Sequence, residues 1–310
     1  MKIYNCIDDF NGAKNPVVTI GTFDGVHLGH RAVFRKMMRD AKALNGETVV
    51  ITFYPHPRLV LNKDVGNLKF INTEKKKIER IEAAGIDHLI IINFTKEFSE
   101  LSSEQFLKRY VVDKINPKKI VIGYDHHFGK NRRGTFDLLL NLGHRYNFSV
   151  EKVEPLIIDG ITVSSTKIRD LLKEGKVAEA NRLLGYEYSI TGKVVHGNGI
   201  GRTIGFPTAN ISIKDEYKLI AANGVYACRV EVEKEKFNGM GNIGTRPTID
   251  HGELTIEVNI FDFNKDIYHK EITISFVKRM RNEIKFDNLQ ALKKQLIKDK
   301  ENTLSLLKSC

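Results

Sequence analysis

Two histidines three residues apart, inside a glycine-rich turn, are the first chemically suggestive feature of this sequence. The segment runs Gly21-Thr22-Phe23-Asp24-Gly25-Val26-His27-Leu28-Gly29-His30 and joins a strand-like run, Val17 to Ile20, to an amphipathic helix. Gly21 and Gly25 permit a tight turn, and Gly29 lets a ligand approach the backbone closely. At a helix start, His27 and His30 can face one point from adjacent turns, beside free amides that favour anions. Imidazoles so placed would stabilise charge building on a nucleotide α-phosphate as pyrophosphate leaves. A bare HxGH is a short pattern, and a turn with two surface histidines accounts for it equally well. A second segment, Ser164-Ser165-Thr166-Lys167-Ile168-Arg169, opens another helix. Its hydroxyls and free amides suit phosphate and Arg169 adds a fork of donors, although either serine also serves as a plain N-cap.

A third stretch lies far along the chain: His196-Gly197-Asn198-Gly199-Ile200-Gly201-Arg202-Thr203-Ile204-Gly205-Phe206-Pro207-Thr208-Ala209-Asn210. It is no Walker A loop, because no Gly-Lys-Ser/Thr follows and it leads out of a strand. Its glycines can present amides to phosphate, and Thr208 and Asn210 are neutral oxygen donors of the hardness Mg²⁺ prefers. A long, flexible hairpin loop is the plainer alternative. Glu257, in Thr255-Ile256-Glu257-Val258-Asn259, reads by itself as an outward-facing strand carboxylate.

The elements that must hold these residues fall into two textures. Up to about residue 155, strand-like runs (Val17–Ile20, Val49–Phe53, Leu89–Ile92, Lys119–Ile122, Phe148–Val153) alternate with helical patterns. In those patterns Val33, Met37, Ala41 and Leu44 share a face, and Ser102 to Gln105 form a capping box. Such alternation predicts βαβ units and a parallel sheet with ligands at the carboxyl ends of its strands. After residue 186, Tyr188–Val195, Val225–Val232, Leu254–Phe261 and Glu271–Val277 follow one another with turn signals at Asn198-Gly199 and Asn223-Gly224. This predicts an antiparallel barrel or sandwich, closed by a helix starting near Asp287 with Leu289, Leu292, Leu296 and Ile297 inward. The expected domains are 1–185 and 186–310.

Composition narrows the class without choosing a function. With 310 residues, 41% hydrophobic and 28% charged, the chain can build real cores. Lys+Arg less Asp+Glu is 49 − 38 = +11; that balance suits polyphosphates, nucleic acid or a membrane surface, or merely a basic surface. No apolar run nears the ~18 residues of a membrane span, and Met1 to Cys6 does not read as a secretion signal. Cys6, Cys228 and Cys310 make neither a disulfide framework nor a zinc site, so a soluble, cytoplasmic protein is expected. Lys75-Lys76-Lys77 reads as a solvated helix face. Lys130-Asn131-Arg132-Arg133 reads as a solvated loop, with a mobile arm over a triphosphate as the alternative.

Taken together, the HxGH and SSTxxR segments resemble the HxGH-type nucleotidyltransferase superfamily. Thr52-Phe53-Tyr54-Pro55-His56-Pro57 and Gly123-Tyr124-Asp125-His126-His127-Phe128-Gly129 narrow the likeness to the FAD synthetase module of prokaryotic riboflavin kinase/FAD synthetases. His126 stands where that family usually has an aromatic. The PTAN loop resembles the riboflavin kinase family, as do Gly244-Thr245-Arg246-Pro247-Thr248, the strand around Glu257, Phe261-Asp262-Phe263, Ile267-Tyr268, and Arg281 before Lys285-Phe286-Asp287. The resemblance covers essentially the whole chain. It implies a Rossmann-like nucleotidyltransferase domain followed by a riboflavin kinase-like barrel. In the first, Gly21, Phe23, Asp24, Gly25, His27, Gly29, His30, Ser164, Ser165, Thr166 and Arg169 would take ATP and its phosphates. Pro55, His56, Pro57, Asp125 and Phe128 would take FMN. In the barrel, Gly197, Gly201, Gly205, Pro207, Thr208 and Asn210 would bind ATP, with Mg²⁺ on Thr208 and Asn210. Glu257 would be the base and Arg281 would lie near flavin. The implied reactants are riboflavin, FMN, FAD, ATP, ADP and pyrophosphate, with no tightly bound prosthetic group, no nucleic acid and no membrane, in a monomer or weak homo-oligomer. An adenylyltransferase for another phosphorylated precursor and an RNA-binding protein are the rival readings. The PTAN loop with Glu257 opposes the former, and the absence of an RNP-type aromatic pair opposes the latter.

Overall fold

A computed structural model describes residues 1–61, 68–130, 133–197, 199–246 and 253–308, with the side chains of Arg246 and Glu253 set aside. The expectations at Asn131, Arg132, Asn198, Pro247, Thr248 and Cys310 lie outside the described residues. The chain divides into two compact units, Met1–Ser165 and Thr166–Cys310.

The first unit is built on a parallel sheet. Its strands are β1 (Lys2–Tyr4), β2 (Val17–Ile20), β3 (Thr48–Tyr54), β4 (His88–Asn93), β5 (Lys119–Gly123) and β6 (Ser149–Val153), in the order β1-β4-β3-β2-β5-β6. Every residue of β2 is buried, as a strand covered on both faces requires. Alternation assigns the faces: Val18, Ile20, Val49, Ile51, Ile120 and Ile122 join one apolar cluster, while Val17, Val50, Leu89, Ile91 and Val121 join another. Helix α1 (Leu28–Ala43) covers the second face with Val33, Phe34, Met37 and Ala41. Each such aliphatic side chain contributes roughly 1.5–3 kcal/mol by leaving water. Leu44, expected on the same face, instead caps the helix end and is exposed. The capping box forms as expected, between Ser102 and Gln105. The order of connections reverses between β2 and β5, and at such a switch point the loops after neighbouring strands diverge and leave a crevice. The HxGH turn follows β2, and the Gly123–Gly129 segment runs on from the end of β5. A small hairpin, β7 (Ile157–Ile158) with β8 (Ile161–Thr162), precedes the second phosphate segment.

The second unit is a closed six-stranded antiparallel barrel: β9 (Tyr188–Val195), β10 (Ala209–Ser212), β11 (Gly224–Val232), β12 (Glu235–Arg246), β13 (Glu253–Ile260) and β14 (Glu271–Arg281), closing in the order β10-β13-β12-β11-β14-β9. Inward alternation is clear in β9 (Tyr188, Ile190, Val194) and β14 (Ile272, Ile274, Phe276). Strand β12 was not foreseen because glycines interrupt its apolar pattern. Close packing demands them: a Cβ on Gly239 would lie 2.7 Å from the Asn259 carbonyl, and one on Gly241 would lie 3.0 Å from Cys228 Sγ. Gly244 to Arg246, read from sequence as part of a turn, are the end of this strand. The helix Val177–Leu184 packs on the barrel, where Asn181 Nδ2 donates to the Phe276 carbonyl at 2.8 Å and Oδ1 accepts from Tyr188 N at 2.7 Å.

The terminal helix, Leu289–Lys308, starts two residues later than expected; Leu292 and Leu296 face inward as expected, and Leu289 and Ile297 do not. Asp299, Thr303 and Leu307 are buried, and Leu296 and Leu304 pack on Phe206, Met240 and Phe261, while Leu289 and Ile297 are exposed. The reason is electrostatic. Arg281 on β14 grips Asp299 through Nε at 3.1 Å and Nη2 at 2.6 Å, and this two-pronged pair sets the rotation of the helix.

Candidate active sites

Each residue of the HxGH turn has an identifiable job. Phe23 (φ 49°), Gly25 (φ 86°) and Val26 (φ 38°) adopt left-handed backbone, which folds the chain sharply between β2 and α1. The Phe23 ring folds back over Gly21, where a Cβ would meet it at 2.9 Å. Asp24 is buried, and its carboxylate accepts from Ile71 N at 3.0 Å and Asn72 N at 3.2 Å, tying the turn to the segment before the helix Glu74–Ala83. Ser165 Oγ donates to the Asp24 carbonyl at 2.8 Å, so the start of the Ser164–Arg169 segment is anchored to the HxGH turn through the backbone at that aspartate. Arg169 lies one turn further along the helix Ser165–Lys173.

His27 caps α1. Its Nδ1 accepts from His30 N at 3.3 Å, so in the neutral ring the proton sits on Nε2, which is left as a donor. The two imidazoles stack with centroids 3.6 Å apart, and Phe23 meets His30 edge-on at 5.2 Å. Gly29 is required beside them: a Cβ there would come within 3.1 Å of the His27 ring and 3.4 Å of the Val163 carbonyl. The result is a pair of stacked imidazoles at the positive end of a sixteen-residue helix.

The expected flavin residues of this unit are spread more widely. His56 caps the short helix Pro57–Val60 and packs against Phe70 with the rings tilted and their centroids 4.5 Å apart, with Pro55 just before it. Asp125 is exposed. Phe128 is buried in the apolar cluster against Phe106, and His126 stacks on it at 5.8 Å, so the imidazole and not the phenyl ring is the more accessible face. Lys130 pairs with Glu100.

In the barrel, the glycine loop leaves β9, makes one helical turn at Ile200–Thr203 and enters β10. Gly199 (φ 70°) and Gly205 (φ 87°) bracket that turn in left-handed conformation. A Cβ on Gly197 would overlap the Asn210 amide, and one on Gly201 would overlap the Phe206 carbonyl. Asn259 Nδ2 donates to the Pro207 carbonyl at 2.7 Å, holding the loop end against β13. At that point Thr208 Oγ1 donates to Glu257 Oε2 at 3.1 Å, and Asn210 stands directly opposite Glu257 in the β10–β13 register. Asn242 flanks Glu257 from β12 and donates to Glu283 Oε1 at 3.2 Å. A hydroxyl, an amide and a half-buried carboxylate thus come together where β10 meets β13. Arg281 is paired with buried Asp299 of the terminal helix.

Comparisons with known proteins identify the family of both units. Residues 10–167 match the family model described as FAD synthetase, and residues 184–307 match the one described as riboflavin kinase. A relative from Buchnera aphidicola subsp. Schizaphis graminum, named bifunctional riboflavin kinase/FMN adenylyltransferase, is 40% identical over 93% of each chain. The chain belongs to this bifunctional family. A family member of the same name from Listeria monocytogenes is 40% identical across 93% of this chain and 91% of its own. A crystal structure from Streptococcus pneumoniae, described as a macrolide-efflux protein, superposes with a TM-score of 0.89 at 34% identity, covering 97% of both chains. Among the described residues, no helix is long and apolar enough to cross a membrane.

One residue linked to the HxGH turn differs from its sequence reading. Lys77, taken there for part of a solvated face, is 7% exposed. Its Nζ donates to Thr52 Oγ1 at 3.3 Å and pairs with Glu74 at 2.8 Å, while Thr52 Oγ1 reaches the Thr22 carbonyl at 3.4 Å. This links the end of β3 to the HxGH turn. The signal was available: Lys77 stands four residues before buried Ile81, on the inward stripe of its helix.

Proposed function

We propose that the chain makes two flavin nucleotides in succession. In the barrel, ATP donates its γ-phosphoryl group to the 5′-hydroxyl of riboflavin, giving FMN and ADP. In the first unit, the FMN phosphate attacks the α-phosphorus of a second ATP, giving FAD and pyrophosphate. The observation that carries this reading is the match of both family models, in this order, to this chain, together with relatives matched over nearly their whole length. The name attached to the pneumococcal structure is not carried over, because the two models already account for residues 10–167 and 184–307.

In the kinase step Glu257 accepts the proton of the attacking hydroxyl, and Thr208 holds the carboxylate in place until substrate arrives. The glycine loop offers backbone amides to the phosphates through Gly197, Gly201 and Gly205. Thr208 and Asn210, hard oxygen donors beside a carboxylate, suit Mg²⁺, which takes few protein ligands and keeps its waters. When bound, the ion neutralises charge on the transferring phosphoryl group. Arg281 serves the flavin indirectly, by fixing the terminal helix beside the barrel.

In the adenylyl step the stacked His27 and His30 stabilise charge on the α-phosphate from a water-poor turn. Ser164, Ser165, Thr166 and Arg169 receive the leaving pyrophosphate. Pro55, His56, Pro57, Asp125 and the His126–Phe128 pair line the FMN side. Asp24 acts as a brace for these groups. We keep the functional boundary at Gly185, place the enzyme in the cytoplasm, and assign it small-molecule reactants alone.

The test is separation of the two activities. Glu257→Ala is expected to abolish FMN formation yet leave conversion of supplied FMN to FAD unchanged, and His30→Ala is expected to do the reverse. Loss of both activities in either soluble, folded variant would contradict the assignment.

A further inference from the structure

The carboxyl-terminal half of α1 carries a second concentration of positive charge. A cavity of about 740 Å³ opens between this part of the helix and β6, the edge strand of the sheet. Glu151 is the single acid on its wall, and Lys36 is bound to it at 2.8 Å. Lys36 also pairs with Asp40 at 2.6 Å, and Lys119 bridges Asp40 at 2.9 Å and Glu151. Burial pushes both carboxyls up, but the two ammonium groups outweigh it and hold Asp40 and Glu151 below the usual carboxylate range. These four groups therefore stay charged and cancel.

Four cations remain outside that square. Arg35, Arg39, Lys42 and Lys152 line the cavity, all are exposed, and none has an acidic partner among the described residues. Arg35 and Arg39 are one turn apart and Arg39 and Lys42 three residues apart, so their mutual repulsion works against the helix. Along the axis, Arg35 to Lys42 spans about 10 Å, at 1.5 Å per residue. A single phosphate cannot touch all of them, whereas a short phosphate chain can, with the arginine forks gripping its oxygens in pairs. The volume falls in the range of a small-molecule site. Arg39 lies about 16 Å along the helix from Leu28, well away from the His27–His30 turn.

We propose that this cavity is a binding site for a short condensed phosphate, met either as an inorganic chain or as the phosphate tail of a nucleotide. It is separate from the His27–His30 turn and does not rest on the assignment of either activity.

Equilibrium dialysis of the full chain, with sodium tripolyphosphate in one arm and labelled ATP in the other, tests this directly. For at least one probe, the wild type is expected to bind one equivalent more than the triple variant Arg35→Ser/Arg39→Ser/Lys42→Ser, and the arm that shows it identifies the source. Lys152→Ser, which leaves the helix untouched, is expected to weaken that extra equivalent about tenfold, as the loss of one charge-assisted contact does. Unchanged kinase and adenylyltransferase rates in both variants establish that they are folded. Equal stoichiometry in wild type and triple variant for both probes would overturn the proposal, as would binding of a single-stranded RNA oligomer alone.

Discussion

Asp24 offers the sharpest test of how the adenylyl site is built. A carboxylate beside a phosphate repels it, so if Asp24 matters its value lies in the backbone it holds. It accepts two hydrogen bonds at Oδ1, from Ile71 N at 3.0 Å and Asn72 N at 3.2 Å, and Oδ2 also lies 3.1 Å from Ile71 N. Hydrogen bonds to a charged group contribute about 1.5–3 kcal/mol each. Asp24→Asn keeps the shape and one acceptor, and should destabilise the first unit by about 2 kcal/mol. Asp24→Ala leaves two amides without their acceptor and should cost about 3–5 kcal/mol, because an unpaired buried amide costs about 1–3 kcal/mol. For a unit of this size, 2 kcal/mol lowers the midpoint of thermal unfolding by about 4–8 °C. The assay is residual activity after graded heating, with FAD synthesis and riboflavin phosphorylation measured in parallel. FAD synthesis should be lost earlier in both variants, and phosphorylation at the wild-type temperature. If Asp24→Asn left the thermal profile unchanged and altered ATP affinity alone, the carboxylate would be a ligand contact and the reasoning would fail.

Three further outcomes follow from the same contacts. Lys77→Met should lower the rate of FAD synthesis about tenfold at saturating ATP, the equivalent of one lost charge-assisted bond, without changing riboflavin phosphorylation. An undiminished rate would remove Lys77 from the site. Asp299→Ala strands the Arg281 guanidinium and should cost the barrel about 3–5 kcal/mol in urea unfolding, much of it restored by the apolar pair Arg281→Met/Asp299→Leu. Burial pushes the Tyr226 phenol up to about 12, with Arg279 acting in the opposite sense. The folded state therefore keeps its proton longer than the unfolded chain, so this contribution is complete below about pH 10. It is lost between pH 10 and 12, about 2–3 kcal/mol in all, and Tyr226→Phe should flatten that part of the stability profile.

Much of the architecture was legible because its signals are local. The runs that became β2 to β6 are apolar and β-branched, and the HxGH turn announces itself through its glycines, of which Gly25 takes left-handed backbone. What stayed hidden depends on partners distant in the chain. Strand β12 is masked by Gly239 and Gly241, whose meaning appears only when Asn259 and Cys228 are placed against them. On the terminal helix Leu292 and Leu296 face inward as expected, but Leu289 and Ile297 look like core residues and are exposed, and the buried Asp299 on the inward stripe is explained only by its ion pair with β14. Lys77 sat inside a run of three lysines, two of which do face solvent more than it does. Among the expected site residues, Thr208, Asn210 and Glu257 do come together, and so do His27 and His30. Asp24, Phe128 and Arg281 also make contacts within the fold that residue type alone does not disclose.

The most direct measurement mixes two inactive chains. Glu257→Ala and His30→Ala proteins, each unable to carry riboflavin through to FAD, are combined with riboflavin, ATP and Mg²⁺, and the flavins are separated over time. Independent sites predict that FMN accumulates first and FAD follows after a lag that shortens as the Glu257→Ala chain is added in excess. A mixture that never yields FAD, although each chain retains its one remaining activity on supplied substrate, would contradict two separate centres joined by a released intermediate.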